Sequence, residues 1–315
     1  MKRVMDVLWP IIGLGAVGFS GWALVHELKD LRLADIVADI LAISPAGWAM
    51  ALVSTLCAYS ALAWYDQIAL AHLGRRLSWR FVGLVSFTAY ALAHNIGASV
   101  LSGALVRYRA YSTKGLSGPE VGLLVAFCSM TFTLGSLLLG GLVLLIDPVL
   151  IERVADVPVA SGRVAGLLLL ALPWLYAIGS LLHFRPLKVG GFELFYPRPR
   201  IAVRQFLAGP LELICAVGII YFALPAADNP GFCVLLAAFL ASFTLALASH
   251  APGGLGVLEL TFIKMVPDKP KAELVAALLV FRLLYLIVPL LFALVVVVLF
   301  ERERIGALLS SRRKP

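Results

Sequence analysis

Asp66, Glu212, Glu259 and Arg282 lie within or at the edges of long apolar runs. A charge at the centre of a bilayer costs about 2.5–3.5 kcal/mol on insertion scales, so such residues face a bundle interior and pair. Two readings stay open for the set. Arg282 can tie structurally to one of the acids, or the four can line a polar site. Glu259 and Arg282 carry the strongest case for a site, and Glu212 the weakest, since Gly209-Pro210 just before it places it near a helix end. Arg107 and Arg109 are either solvated residues of a loop or ligands for a phosphate, which a planar guanidinium grips with two hydrogen bonds. His94 and His250 are either hydrogen-bonded structural histidines or proton carriers, with Glu259 a second candidate carrier. The chain shows no HExxH, Walker, GxSxG or Cys/His metal pattern, so no catalytic residue, metal or cofactor is expected.

Two interrupted stretches must position these groups. In His250-Ala251-Pro252-Gly253-Gly254-Leu255-Gly256-Val257-Leu258-Glu259, a proline and three glycines stand between apolar runs. A helix cannot pass smoothly through that composition. Inside a bilayer, broken backbone survives only where protein or a water-filled cavity satisfies it. The other stretch is His94-Asn95-Ile96-Gly97-Ala98-Ser99, within the apolar run 81–106. Either stretch alone reads as a surface turn; the two together read as paired broken helices.

Composition fixes the class. Of 315 residues, 61% are hydrophobic and 14% charged, where a soluble domain carries about a quarter charged residues. Apolar runs of membrane-spanning length recur from end to end, so the chain reads as an all-α polytopic membrane protein and a single domain. The net charge of +8 is then a topology signal and an attraction to anionic lipid, not a sign of nucleic-acid binding. The four cysteines, Cys57, Cys128, Cys215 and Cys233, fall in apolar runs and read as small core residues.

Eight embedded segments are expected, the first over 7–25 and the last over 272–300, with an amphipathic interfacial helix over 27–43. Ser44-Pro45 and Ser117-Gly118-Pro119-Glu120 read as helix starts. Stretches 147–163 and 185–200 read as loops, 201–224 as a span, and 301–315 as a basic cytoplasmic tail. The interrupted segments are third and seventh, third in each of two halves, 1–147 and 164–300. That placement points to a transporter site in an inverted repeat. If both interrupted segments are re-entrant hairpins, leaving six crossings, 18 of the 26 Lys and Arg residues lie on the side of the termini and 7 opposite. Eight full crossings divide them about evenly. The hairpin arrangement obeys the positive-inside rule, with both termini cytoplasmic.

Tyr65-Asp66, GALVRYRAYSTKG from Gly103 to Gly115, PGGLGVLE from Pro252 to Glu259, and FRLLYLIVP from Phe281 to Pro289 together resemble the lysylphosphatidylglycerol synthetase transmembrane family. PGGLGVLE is the most specific of them. The family includes the flippase portion of the multiple peptide resistance factor and standalone bacterial membrane proteins, some linked to hopanoid synthesis. The resemblance implies a bacterial cytoplasmic-membrane protein that moves a phospholipid or related lipid between leaflets. The candidate lipid-handling residues are Asp66, His94, Asn95, Arg107, Arg109, His250, Pro252, Gly253, Gly254, Gly256, Glu259, Arg282 and Tyr285. The chain is expected to lack the aminoacyltransferase domain of larger members. Its expected partners are membrane lipids, with a separate lipid-synthesising enzyme or a second copy of itself also open. A membrane enzyme acting on headgroups and a non-transporting partner that presents lipid to a synthase remain the alternatives.

Overall fold

The structure, a computed structural model, describes residues 32–95, 99–155, 158–184, 187–189, 192–194, 196–227, 229–249 and 254–311. The expected first span, 7–25, lies outside them. The described chain is helical apart from one antiparallel pair, β1 (Leu187–Val189) and β2 (Phe192–Leu194), inside the basic stretch read as a loop.

α1 (Leu33–Ala42) is the amphipathic helix. It buries Ile36 and packs on a later helix, α11. α2 (Pro45–His72) starts where Ser44 and Pro45 predict: the Ser44 hydroxyl accepts from the Gly47 amide, 3.0 Å away, and Pro45 takes a position whose amide would be unpaired anyway. The interrupted run 81–106 is two helices, α3 (Trp79–Asn95) and α4 (Ser99–Ser112), packed against each other. A methyl at Gly103 would lie 3.4 Å from both the Ala89 carbonyl oxygen and the Ala93 Cβ. The chain therefore doubles back at the break.

α5 (Gly118–Ile146) opens with the expected reciprocal cap of Ser117 and Glu120. The stretch 147–163 is not a plain loop; it holds the short α6 (Leu150–Ala155) and the start of α7 (Val159–Leu181). α8 (Pro199–Ala223) runs straight through Pro210. The second break divides α9 (Phe232–Ala248) from α10 (Val257–Met265), which also pack together. The last apolar run is α11 (Lys271–Phe281), a π-helical turn (Arg282–Ile287), and α12 (Val288–Ser311). The helix continues past 301 because the sequence there is rich in Glu, Arg, Leu and Ala, all good helix formers. Residues 312–315 of the expected tail lie outside the described residues.

Among the described residues, five stretches are long and apolar enough to cross a membrane: Pro45–His72, Gly118–Ile146, Val159–Leu181, Pro199–Ala223 and Lys271–Leu299. α8 is the most enclosed, lying against α2 and α5. Small residues allow this. A Cβ at Gly135 would sit 2.5 Å from the carbonyl carbon of Gly209, and one at Gly218 would meet the Ser54 hydroxyl at 2.8 Å. Lipid gives helices no hydrophobic reason to associate, so close backbone packing does much of that work. Outward faces carry bare Leu, Val and Phe, among them Leu168 and Leu172 on α7 and Phe292 and Val298 on α12. Asp66, Arg107, Gln205 and Glu212 are buried inside the bundle instead. This is the surface of a multi-pass membrane protein.

Candidate functional site

Three polar groups are built inside the bundle. The first joins α2 to α4. Asp66 is fully buried and Arg107 only 3% exposed. Arg107 donates from Nη2 to Asp66 Oδ1 at 2.8 Å and from Nε to Oδ2 at 3.0 Å. Tyr111, one helical turn beyond Arg107, donates its hydroxyl to Asp66 Oδ2 at 2.7 Å, and the Cys128 thiol lies 3.4 Å from Oδ1. The guanidinium also lies over the Tyr90 ring, 4.4 Å from its centroid. Arg107 is thus neither a solvated loop residue nor a free phosphate ligand. Its α4 face turns into the protein, and burial demands the partner that Asp66 supplies. Arg109, two residues on, is exposed.

The second group surrounds Glu212, which is 3% exposed and in mid-helix rather than near an end. Gly209-Pro210 does not stop α8. Inside a packed bundle, neighbouring helices tolerate the lost backbone bond, and Gly209 is where α5 comes closest. The Tyr285 hydroxyl donates to Glu212 Oε1. Tyr65 lies alongside, its hydroxyl donating to the Gly209 carbonyl at 3.3 Å. Tyr285 belongs to the π turn, whose widened bonding leaves carbonyls accessible. The Tyr285 carbonyl accepts from the Tyr59 hydroxyl at 2.9 Å, and that of Leu286 accepts from Asn95 Nδ2 at 3.2 Å. Asn95 also donates to the Ala91 carbonyl at 2.7 Å, closing the end of α3. The His94 ring stacks on Tyr285 with centroids 5.3 Å apart, and Tyr90 is 5.7 Å from His94. Tyr90 and His94 therefore link the first group to the second.

The third group closes the second break. Arg282 Nε donates to Glu259, forming an ion pair between the two residues with the strongest case for a site. The other Glu259 oxygen accepts from the Gly256 amide at 2.9 Å, so the carboxylate also satisfies the start of α10. Gly254 and Gly256 have φ of 63° and 78°, a backbone that favours glycine. A Cβ at Gly254 would come within 2.8 Å of Ala246 Cβ on α9. His250, Pro252 and Gly253 lie outside the described residues.

A groove of about 380 Å³ opens on the outer surface between α2, α3 and α12, walled by Leu52, Phe87, Leu284 and Phe292 with Thr55 and Tyr59. Tyr59 is its inner wall, and Tyr285 with Glu212 stands directly behind. A second hollow of about 700 Å³ lies between α1, α2, α8 and α11, with Asp39, Asn229 and Glu273 in its lining.

This layout sits in a sequence that matches, over residues 11–293, a family profile described as "Lysylphosphatidylglycerol synthase TM region". The chain belongs to that family. It is 28% identical over 290 residues to "Uncharacterized protein slr0712" of Synechocystis sp., covering 92% of this chain and 90% of that one. It is 32% identical over 244 residues to "Inner membrane protein YbhN" of Escherichia coli (strain K12), covering 76% of this chain and 75% of that one. The resemblance drawn from PGGLGVLE and its companion motifs therefore extends over most of the chain.

Sequence reasoning did not single out Tyr59, Tyr90, Tyr111 or Cys128 as site residues, and it held Tyr65 only as part of a family motif. Tyr111 had a usable signal, since it follows Arg107 at helical spacing within GALVRYRAYSTKG. The others pair across helices far apart in sequence and left none.

Proposed function

We propose that this protein is a lipid flippase or scramblase of the bacterial cytoplasmic membrane, a transporter and not an enzyme. It moves a phospholipid, or a related lipid with a charged headgroup, between leaflets. The reading rests above all on one observation: charged and hydroxyl side chains buried where two broken helix pairs meet the central helices α2 and α8. Lipid-facing helices have no structural need for such a lining, and each of these groups is costly in hydrocarbon.

In this reading α3–α4 and α9–α10 are re-entrant hairpins, one from each side, and the termini are cytoplasmic. Their helices support it. At 1.5 Å per residue the 17 residues of α9 reach about 25 Å and the 9 of α10 about 14 Å. Neither crosses alone, and the two lie side by side. The outer groove would hold an acyl chain while the headgroup passes Tyr59 toward Tyr285 and the ion pairs. Aminoacylated phosphatidylglycerol is the first headgroup to try, given the family description.

Purified protein in liposomes of phosphatidylglycerol carrying a labelled tracer tests the proposal. Exchange of tracer between leaflets, slowed in Glu259→Gln protein that remains folded, is the expected result. A change in lipid mass without exchange would identify an enzyme instead. Neither change would leave a lipid-presenting partner of a synthase.

A further inference from the structure

We propose that Glu212 is a proton-binding site, that His94 is its proton partner, and that protonation here is what couples lipid movement to a proton gradient. The coupling clause rests on the transport reading above; the proton site does not.

Geometry carries the argument. Glu212 is buried on α8, with Oε1 held by the Tyr285 hydroxyl and Oε2 without a hydrogen-bond partner among the described residues. A buried carboxylate oxygen left unpaired is expensive, and a protein that retains one normally gives it something to bind. The Nδ1 of His94 is likewise buried and without a partner among the described residues. Both side chains contact Tyr285: Glu212 through the hydroxyl, His94 through ring stacking. One unpaired atom is an acid oxygen and the other an imidazole nitrogen, which in a neutral ring can donate or accept.

Transferring H⁺ from hydronium to Oε2 forms one O–H bond, leaves a water, removes the negative charge and creates a donor. Imidazole nitrogen is the acceptor such a donor lacks. Losing the proton restores the carboxylate. A metal ion is a poorer occupant. A hard cation wants about six oxygen ligands, whereas the side-chain oxygens that the described residues bring to Glu212 are the two phenol hydroxyls of Tyr285 and Tyr65. The other titratable groups facing the pair are Tyr59 and Tyr65 from α2, Cys215 from α8 itself, Tyr90 from α3, and Arg107 from α4. Arg107 is held by Asp66, and none of the rest is charged at neutral pH, so Glu212 and His94 are the groups left to titrate.

The site also lies where a proton could alter structure. Tyr285 belongs to the π turn, and its carbonyl and that of Leu286 bond to α2 and α3. Neutralising Glu212 would take away the charge assistance of its bond from the Tyr285 hydroxyl and so loosen the contact among α8, the π turn and the first hairpin. Intramembrane acids beside a cavity serve as proton relays elsewhere for this physical reason.

The test has two arms on full-length protein in lipid nanodiscs and liposomes. In pH-difference infrared spectra, wild type should show a protonated-carboxyl C=O band that is lost in Glu212→Gln and shifted in frequency in His94→Gln. This arm needs no transport. In liposomes, tracer exchange should accelerate when a pH gradient is imposed, and the ratio of rates with and without the gradient should fall to unity in Glu212→Gln. A wild-type spectrum whose carboxyl bands all survive Glu212→Gln overturns the proton site. A band that disappears as expected, alongside exchange indifferent to the gradient, overturns the coupling and leaves the transport reading standing. The band without any lipid exchange supports the proton site and defeats the transport reading on its own terms. His94→Gln guards against a Glu212 variant that fails to fold, since an unshifted band there removes His94 as partner.

Discussion

Asp66 and Arg107 pair at two contacts inside the bundle, with Tyr111 and Cys128 on the same carboxylate. Removing one member of such a pair leaves a buried charge uncompensated, at about 3–5 kcal/mol. Asp66→Asn and Arg107→Gln should each lower folded yield and thermal unfolding temperature in detergent, and the double variant should lose less than the two singles together. Additive losses would show that the two residues act separately. The sequence marked both as candidates but could not join them. Their contact spans 41 positions, and the only local cue, the apolar run around each, says that a partner is needed and not which. Glu212 was misjudged for a related reason. Gly-Pro reads locally as a helix end, but here the missing glycine side chain admits α5, and packing holds the helix together across the proline. Tertiary fit overrode local propensity.

At the scale of elements, the breaks in the helices were the legible part and their partners were not. Helix-breaking residues inside apolar runs marked both broken pairs, although Gly209-Pro210, which α8 runs through, shows that such a cue can be overridden. The π turn could not be read this way, because Arg282–Ile287 contains no glycine or proline to mark it. Gly254→Leu should stop tracer exchange while leaving folded protein, because a side chain there meets Ala246 and the backbone is left-handed; full exchange would reduce this glycine to a spacer. Gly135→Val should do more harm to folding, separating α5 from α8 at a cost of about 1–3 kcal/mol, read as a lower unfolding temperature. α1 offers a pH effect outside the spans. Burial, Glu273 and Asp35 push the Asp39 carboxyl above its ordinary value. The folded state then holds that proton more tightly than the unfolded chain. The docking of α1 on α11 should be firmest below the usual carboxylate range and weaken as pH rises through the raised value. Amide exchange in α1 should speed up across that window, and Asp39→Asn should flatten the response.

For the whole molecule, the proposed arrangement puts Ser112 on the cytoplasmic side and Lys269 outside. Single cysteines at those positions, in a chain lacking Cys57, Cys128, Cys215 and Cys233, should react with an impermeant reagent in intact cells at 269 and not at 112. The reverse would sink the hairpin topology. Arg107 drops out of the charge bias that motivated it, since it is buried with Asp66, and the bias survives that loss. The π turn has a bearing on how the last crossing is phased. An α-helix advances about 100° per residue, and one extra residue taken up in a wide turn lets the segments on either side keep their own rotational settings. Deleting Leu284 should therefore leave the oily stripe of α12 facing the same way relative to α11, so the variant should still insert. What it should lose is the slack that turns the Tyr285 and Leu286 carbonyls toward Tyr59 and Asn95. In that sense the turn is a single inserted residue separating two requirements, anchorage in the bilayer and contact with the polar interior, that a regular helix would lock to one another.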